Sequence, residues 1–209
     1  MPAPGENLRI NPDRLWNTIH ELAEIGPGVA GGSNRQTLTD DDAKGRALFQ
    51  KWCEAAGMTM GVDKMGTMFM TRPGTDPDAL PVYVGSHLDT QPTGGRYDGV
   101  LGVLAALEVV RSMDDLGIKT KHPIVVTNWT NEEGARFAPA MMASGVFAGQ
   151  FSMDYAYGRK DADGKTFGDE LKRIGWVGDE EVGARKMHAY LEYHIEQGPI
   201  LEAEGKQIG

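Results

Sequence analysis

The chain has 209 residues, with 21 Lys and Arg against 30 Asp and Glu, a formal charge of −9, 40% hydrophobic and 24% charged residues. It is too apolar for a disordered chain and too charged for a membrane protein, and at this length roughly 70% of the unfolded surface is buried on folding, enough for one substantial core. The acidic balance argues against sequence-independent nucleic-acid binding, whose free energy comes from cations neutralising phosphates.

In chain order, Asn11 is an N-cap candidate with Pro12 at the first helical position, and Leu15, Ile19 and Leu22 share one helix face until Gly26 and Pro27 stop it. A glycine-rich loop, Gly26 to Asn34, leads to Thr39, a cap for a second helix whose first turn holds Asp40, Asp41 and Asp42 and which ends near Gly57. Met58 to Asp63 and Gly66 to Thr71 read as a hairpin. The rhythm then alternates: strand Val82 to Gly85, apolar helix Gly99 to about Arg111, strand Ile124 to Trp129, and a later strand near Tyr190 to Ile195. Alternation of strand and helix predicts an α/β fold with a sheet flanked by helices, and ligands in such sheets collect at the carboxyl ends of strands. The loops starting at Ser86 and Thr130 are therefore the places to search.

Several motifs fail their context. Gly26-Pro-Gly28-Val-Ala-Gly31 fits the dinucleotide pattern but follows a helix, and Gly164-Lys165-Thr166 lacks the first P-loop glycine because Arg159 stands there. Cys53, the single cysteine, lies within a predicted helix, rules out an internal disulfide or multi-cysteine metal site, and fits a reducing compartment. Met1 to Arg14 shows no apolar signal region, and the longest apolar stretch, Val100 to Val110, is broken by Gly102 and Glu108, so a cytoplasmic protein without membrane contact is expected.

One constellation survives. Ser86-His87-Leu88-Asp89-Thr90 directly follows the strand Val82 to Gly85, and a carboxylate two residues after a histidine is a common partner for a metal-bound imidazole, although a lone histidine near a strand end is usually structural. Asp98, among glycines where the apolar helix starts, reads either as a helix cap or as a carboxylate able to bridge cations. Glu132 and Glu133 follow the next strand, so that one could ligate a metal while its neighbour faces water, or both could be a solvated turn. His194 ends the last predicted strand. Two imidazoles and two carboxylates suit Zn²⁺ or a neighbouring divalent ion. His20, His122 and His188 are assigned surface or capping roles.

These segments, Ser86 to Pro92, Gly94 to Gly99, Thr130 to Phe137 and His194 to Pro199, resemble the dinuclear-metal amidohydrolases of the aminoacylase and carboxypeptidase type. Within that clan they are similar to the N-carbamoyl-L-amino-acid hydrolase, β-ureidopropionase and allantoate amidohydrolase branch, and His194, at a position where related peptidases carry an acidic ligand, favours that branch over the peptidases. The resemblance runs from about Leu15 to Gly209 and implies a zinc-exopeptidase-like catalytic domain with a mixed sheet. It further implies two divalent ions, Zn²⁺ before Mn²⁺, Co²⁺ or Ni²⁺: Asp98 bridges them, His87 and His194 hold one and Glu133 the other. Glu132 would be the general base, Asp89 would orient His87, and Gln197 would contact substrate. The implied reaction is metal-dependent hydrolysis of a ureido C–N bond in an N-carbamoyl-L-amino acid, a ureido acid or allantoate, with a peptidase, an N-acyl amino acid deacylase or a non-catalytic fragment as alternatives. Residues 1–209 would be the N-terminal portion of the catalytic domain. The resemblance places a lid or dimerisation domain and a further His ligand beyond them, and makes the complete enzyme a homodimer.

Overall fold

The structure is a computed structural model and describes residues 8–209. The reading of Met1 to Arg14 as free of a signal region falls partly outside the described residues. Helix α1 (Pro12–Ala23) starts where Asn11 accepts the Arg14 N–H at 3.0 Å, and α2 (Asp40–Ala55) starts where the Thr39 hydroxyl accepts that of Asp42. Strands β1 (Thr59–Val62) and β2 (Met68–Arg72) form the expected hairpin, followed by β3 (Val82–His87), α3 (Val100–Asp115) and β4 (Ile124–Trp129). Then come α4 (Met142–Phe147), α5 (Met153–Tyr157), α6 (Phe167–Arg173), β5 (Ala189–Leu191) and α7 (Ile200–Ala203).

The strands make one mixed sheet in the order β1-β2-β4-β3-β5, antiparallel through β1, β2 and β4, and parallel where β3 pairs with β4 and with β5. Period-two alternation divides the sheet's apolar side chains. Met68, Met70, Ile124 and Val126 pack with Leu22, Phe49 and Leu104 of the helices, while Phe69, Tyr83, Val125 and Trp129 join Phe147 in an aromatic cluster. Helix α1 is fastened to α3 by an ion pair of 2.8 Å between Arg14 and the fully buried Glu108. Among the described residues no helix is long and apolar enough to cross a membrane.

Four expectations need correction. The third helix runs to Asp115, four residues beyond Arg111, and begins at Val100. The last strand spans only Ala189–Leu191 and is exposed, so His194 lies on the segment after it. That segment continues into α7, which the sequence reading lacked. Helices α4 to α6 were also unanticipated: each is at most seven residues long, too short for a helical period to stand out in the sequence. The glycine-rich loop holds one 3-10 turn, Val29–Gly31, and Thr166 caps α6. Cys53 is buried, and burial raises its thiol pKa, which makes it a packing residue.

Candidate metal centre

Because β3 and β4 are parallel and in register from Val82 opposite Ile124 to His87 opposite Trp129, both release their loops at one end of the sheet. His87 is the last residue of β3. Its Nδ1 lies 2.8 Å from the main-chain oxygen of Asp89, and since a carbonyl only accepts, Nδ1 carries the proton and Nε2 faces the site. His194 repeats the arrangement, with Nδ1 2.9 Å from the Ile195 carbonyl and Nε2 3.1 Å from Asp98 Oδ1. His87 Nε2 is 3.8 Å from the same Asp98 oxygen and 3.2 Å from Glu132 Oε2. The two imidazoles are 5.8 Å apart, centre to centre.

Asp98 is not a helix cap. Gly99 occupies the cap position of α3 at φ 65°, no side chain caps the helix, and a Cβ at Gly99 would overlap the His87 ring. Glycine is needed here twice over, for the left-handed backbone and for the close approach of the imidazole. The Asp98 carboxylate is thereby left facing the histidines, and its second oxygen accepts from Gln197 Nε2 at 2.5 Å. Gln197 therefore meets Asp98 directly.

Asp89 contacts His87 through its carbonyl, whereas its carboxylate Oδ1 is 3.8 Å from His87 Nδ1. The carboxylate instead accepts the backbone N–H of Glu132 at 3.2 Å and of Glu133 at 3.3 Å. Burial raises the Asp89 pKa to about 6 against the opposing field of His87. Burial by itself would lower His87, but the fields of Asp89 and Glu132 outweigh it and raise its pKa. Burial, with the negative fields of Glu133 and Glu192, also raises Glu132.

His87, Asp98 and His194 bring one donor atom each to within 4.8 Å of one another. Among the described residues, His87 Nε2 and Asp98 Oδ1 are buried without a hydrogen-bond partner, and so is Glu133 Oε1. Buried acceptors without a partner are costly, and a divalent cation held by two imidazole nitrogens and a carboxylate satisfies His87 Nε2 and Asp98 Oδ1 together. The residues present therefore fit a metal ion. Glu133 stands outside the three-residue group, its other oxygen taking the Gln91 Nε2 at 2.6 Å.

Residues absent from the sequence reading also build the site. Glu192 accepts from Ser86 Oγ at 2.5 Å and from the Tyr190 hydroxyl at 2.7 Å, tying the segment before His194 to the residue before His87. The alternation Glu192, His194, Glu196 was the available signal. Asn131, at φ 57°, donates to the Phe137 carbonyl at 2.8 Å and shapes the loop of Glu132 and Glu133. Of the histidines set aside, His20 packs at a tilt against Trp16, while His122 and His188 lie ring against ring, 4.4 Å apart. A groove of about 840 Å³ lined by Arg14, Trp52 and Arg111 is on the helical side, and none of the candidate ligands line it.

Comparison with known proteins follows the same direction. Over its whole length the chain is 80% identical to an N-carbamoyl-L-amino-acid amidohydrolase of Rhizobium meliloti, covering 50% of that protein. It is 32% identical to a ureidoglycolate hydrolase of Arabidopsis thaliana over 98% of the chain and 45% of the relative. A crystal structure of an amidase of the hydantoinase/carbamoylase family from Burkholderia multivorans superposes with a TM-score of 0.93 at 57% identity, covering 95% of the chain and 48% of that protein. The chain spans about half the length of these relatives. The profile of peptidase family M20/M25/M40 matches residues 83–209, which include every candidate ligand. By that match, which covers more than half of the chain, the chain belongs to peptidase family M20/M25/M40.

Proposed function

We propose that the complete protein is a metal-dependent amidohydrolase that opens the ureido C–N bond of an N-carbamoyl-L-amino acid, releasing the amino acid, CO₂ and ammonia. The observation that carries this reading is the meeting of His87, Asp98 and His194 around two partnerless buried atoms, His87 Nε2 and Asp98 Oδ1. The 80% identity to a protein of that name supports the substrate class. His87, Asp98 and His194 would hold one ion, and Asp98 with Glu133 would begin the site of a second, with Zn²⁺ the first choice for this nitrogen and oxygen set. When bound, such ions supply Lewis acidity and lower the pKa of water.

The protein's own part is to position and to move protons. Glu132, beside the ligands and with a raised pKa, takes a proton from the attacking water and delivers it to the leaving nitrogen as the C–N bond breaks. Asp89 fixes the backbone of Glu132 and Glu133, while its carbonyl fixes the tautomer of His87. Gln197 holds Asp98 and borders the substrate. Residues 1–209 are read as the N-terminal portion of the catalytic domain, and the complete protein as a cytoplasmic homodimer.

The test is hydrolysis by the full-length, metal-loaded protein, read as ammonia release from N-carbamoyl-L-amino acids and ureidoglycolate and as release of free α-amino groups from N-acetyl amino acids and dipeptides. Turnover of the carbamoyl substrates ahead of the others is expected. Preference for dipeptides or N-acetyl amino acids would move the protein to the peptidase or deacylase reading, and preference for ureidoglycolate to that of the plant relative.

A further inference from the structure

Arg35 directly follows the glycine-rich loop, Gly26 to Asn34, and its side chain is among the largest that are fully buried. Arg46, equally buried, pairs with Asp42 at 2.9 Å. Among the described residues the Arg35 guanidinium hydrogen-bonds no carboxylate, and it donates to three main-chain oxygens: Ile25 at 2.9 Å, Leu88 at 3.1 Å and Leu22 at 3.2 Å. Ile25 and Leu22 lie at the carboxyl end of α1, where the helix dipole is negative, and Leu88 lies between His87 and Asp89. The charged groups whose fields reach the guanidinium are Asp42, Asp89 and Asp41.

The main chain repeats the attachment. The Arg35 N–H donates to Thr90 Oγ1 at 2.8 Å, and the Thr90 N–H donates to the Arg35 carbonyl at 3.0 Å. The same segment reaches the Asp98 loop, where Ser33 and Gly94 exchange two backbone hydrogen bonds of 2.9 and 3.0 Å and Arg96 donates to the Gly31 carbonyl. Helix α2 makes room for the arginine: a Cβ on Gly45 would stand 2.9 Å from Arg35 Cδ, and glycine is a poor residue for the middle of a helix. A buried charge without an ionic partner is a costly way to fill a core, which points to a task other than stability.

We propose that Arg35 is a positioning residue for His87 and Asp89: its guanidinium clamps the Leu88 carbonyl to the end of α1, fixing the backbone on which the His87 imidazole and the carbonyl that orients it are carried. The inference rests on the reading of His87 as a metal ligand, but its first readout does not need the metal.

In full-length protein stripped of metal, at a pH above the titration of histidine, long-range ¹H–¹⁵N spectra of the imidazoles report the His87 tautomer. The parent is expected to show a single Nδ1–H form. Arg35→Met should give a mixed or averaged signal and weaken binding of the first Zn²⁺ or Co²⁺ by about 10–100-fold. Arg35→Lys, which keeps the charge without the planar fork, should fall between them. Val110→Ala, a buried change in α3 away from the loop, controls for lost stability and should leave the tautomer as in the parent. Should Arg35→Met fail to fold, Gly45→Ala keeps the charge and displaces the side chain, and is expected to shift the His87 signal in the same direction. A parent-like His87 tautomer in Arg35→Met, or in Gly45→Ala if the former does not fold, overturns the proposal. Failure of the parent to bind metal would instead strike the proposed function, with the metal-free spectra still deciding the role of Arg35.

Discussion

Asp89 holds Glu132 from behind, its Oδ1 accepting the Glu132 backbone N–H at 3.2 Å while Oδ2 accepts that of Glu133. One buried carboxylate thus sets the backbone of two candidate functional residues. In Asp89→Ala both amides lose their acceptor, at about 1–3 kcal/mol each, so the melting temperature should fall. Metal affinity should fall as well, by about 10–100-fold, as for other groups that orient ligands. Thermal melts and chelator competition on the full-length protein check both, and an unchanged metal affinity would reduce Asp89 to a loop brace.

Glu132 offers a sharper separation. Glu132→Gln keeps the shape and removes the proton carrier, so kcat on a carbamoyl substrate should drop by about 10²–10⁴ with metal content unchanged. A kcat within about threefold of the parent, with metal bound, would assign the proton transfer elsewhere.

Asp98 and His194 should differ in how many sites they empty. Asp98→Ala removes the anionic ligand assigned to both ions, whereas His194→Ala leaves Asp98 and Glu133 in place and should empty chiefly one site. Metal analysis after dialysis distinguishes the two. Equal metal content in Asp98→Ala and the parent would refute the bridging assignment.

Asp63 lies away from the metal centre, near the hairpin turn, with one oxygen accepting the Met65 and Thr67 amides at 2.9 Å and the other without a partner. Burial raises its pKa from 3.8 to about 6. The folded state therefore holds its proton over a pH range in which the unfolded state has released it, and stability falls as pH rises from about 4 to about 6, by roughly 3 kcal/mol at most. Asp63→Asn keeps the accepting oxygen and removes the titration. The difference in stability between variant and parent should move in the variant's favour across that range and level off above it; a difference independent of pH would rule this out.

What the sequence disclosed and what it withheld follow from how local each signal is. Asn11, Thr39 and the glycines around them mark helix ends by chemistry acting within one turn, and those ends are where the structure has them. Strands β3 and β4 open on apolar runs, Val82 to Val84 and Ile124 to Val126, and their parallel pairing places the His87 and Glu132 loops together, at the carboxyl ends where strand and helix alternation directed the search. The role of Gly99 depends on a ring twelve residues earlier in the chain, so Asp98 kept its helix-cap reading until the imidazole was seen against that glycine. Arg35 gave no signal at all, because an arginine beside a glycine-rich loop ordinarily faces water, and only α1, α2 and the Leu88 carbonyl together bury it. The end of β5 was misplaced for the opposite reason. Tyr190 to Ile195 has strand-like residues, but only Ala189 to Leu191 pair with β3.

That short pairing bears on the order in which the molecule comes together. His87 and His194 are far apart along the chain, and closing so large a loop costs entropy that is recovered only once β5 lies against β3. With three exposed residues to hold it, β5 is the strand most easily peeled from the sheet, and its departure would carry away one of the two imidazoles. Core formation and completion of the candidate metal-binding group are therefore expected to be separate events in folding, the second arriving last and leaving first. A bound cation would act as a latch on that strand, adding about 2.7 kcal/mol of stability at a concentration a hundred times its dissociation constant.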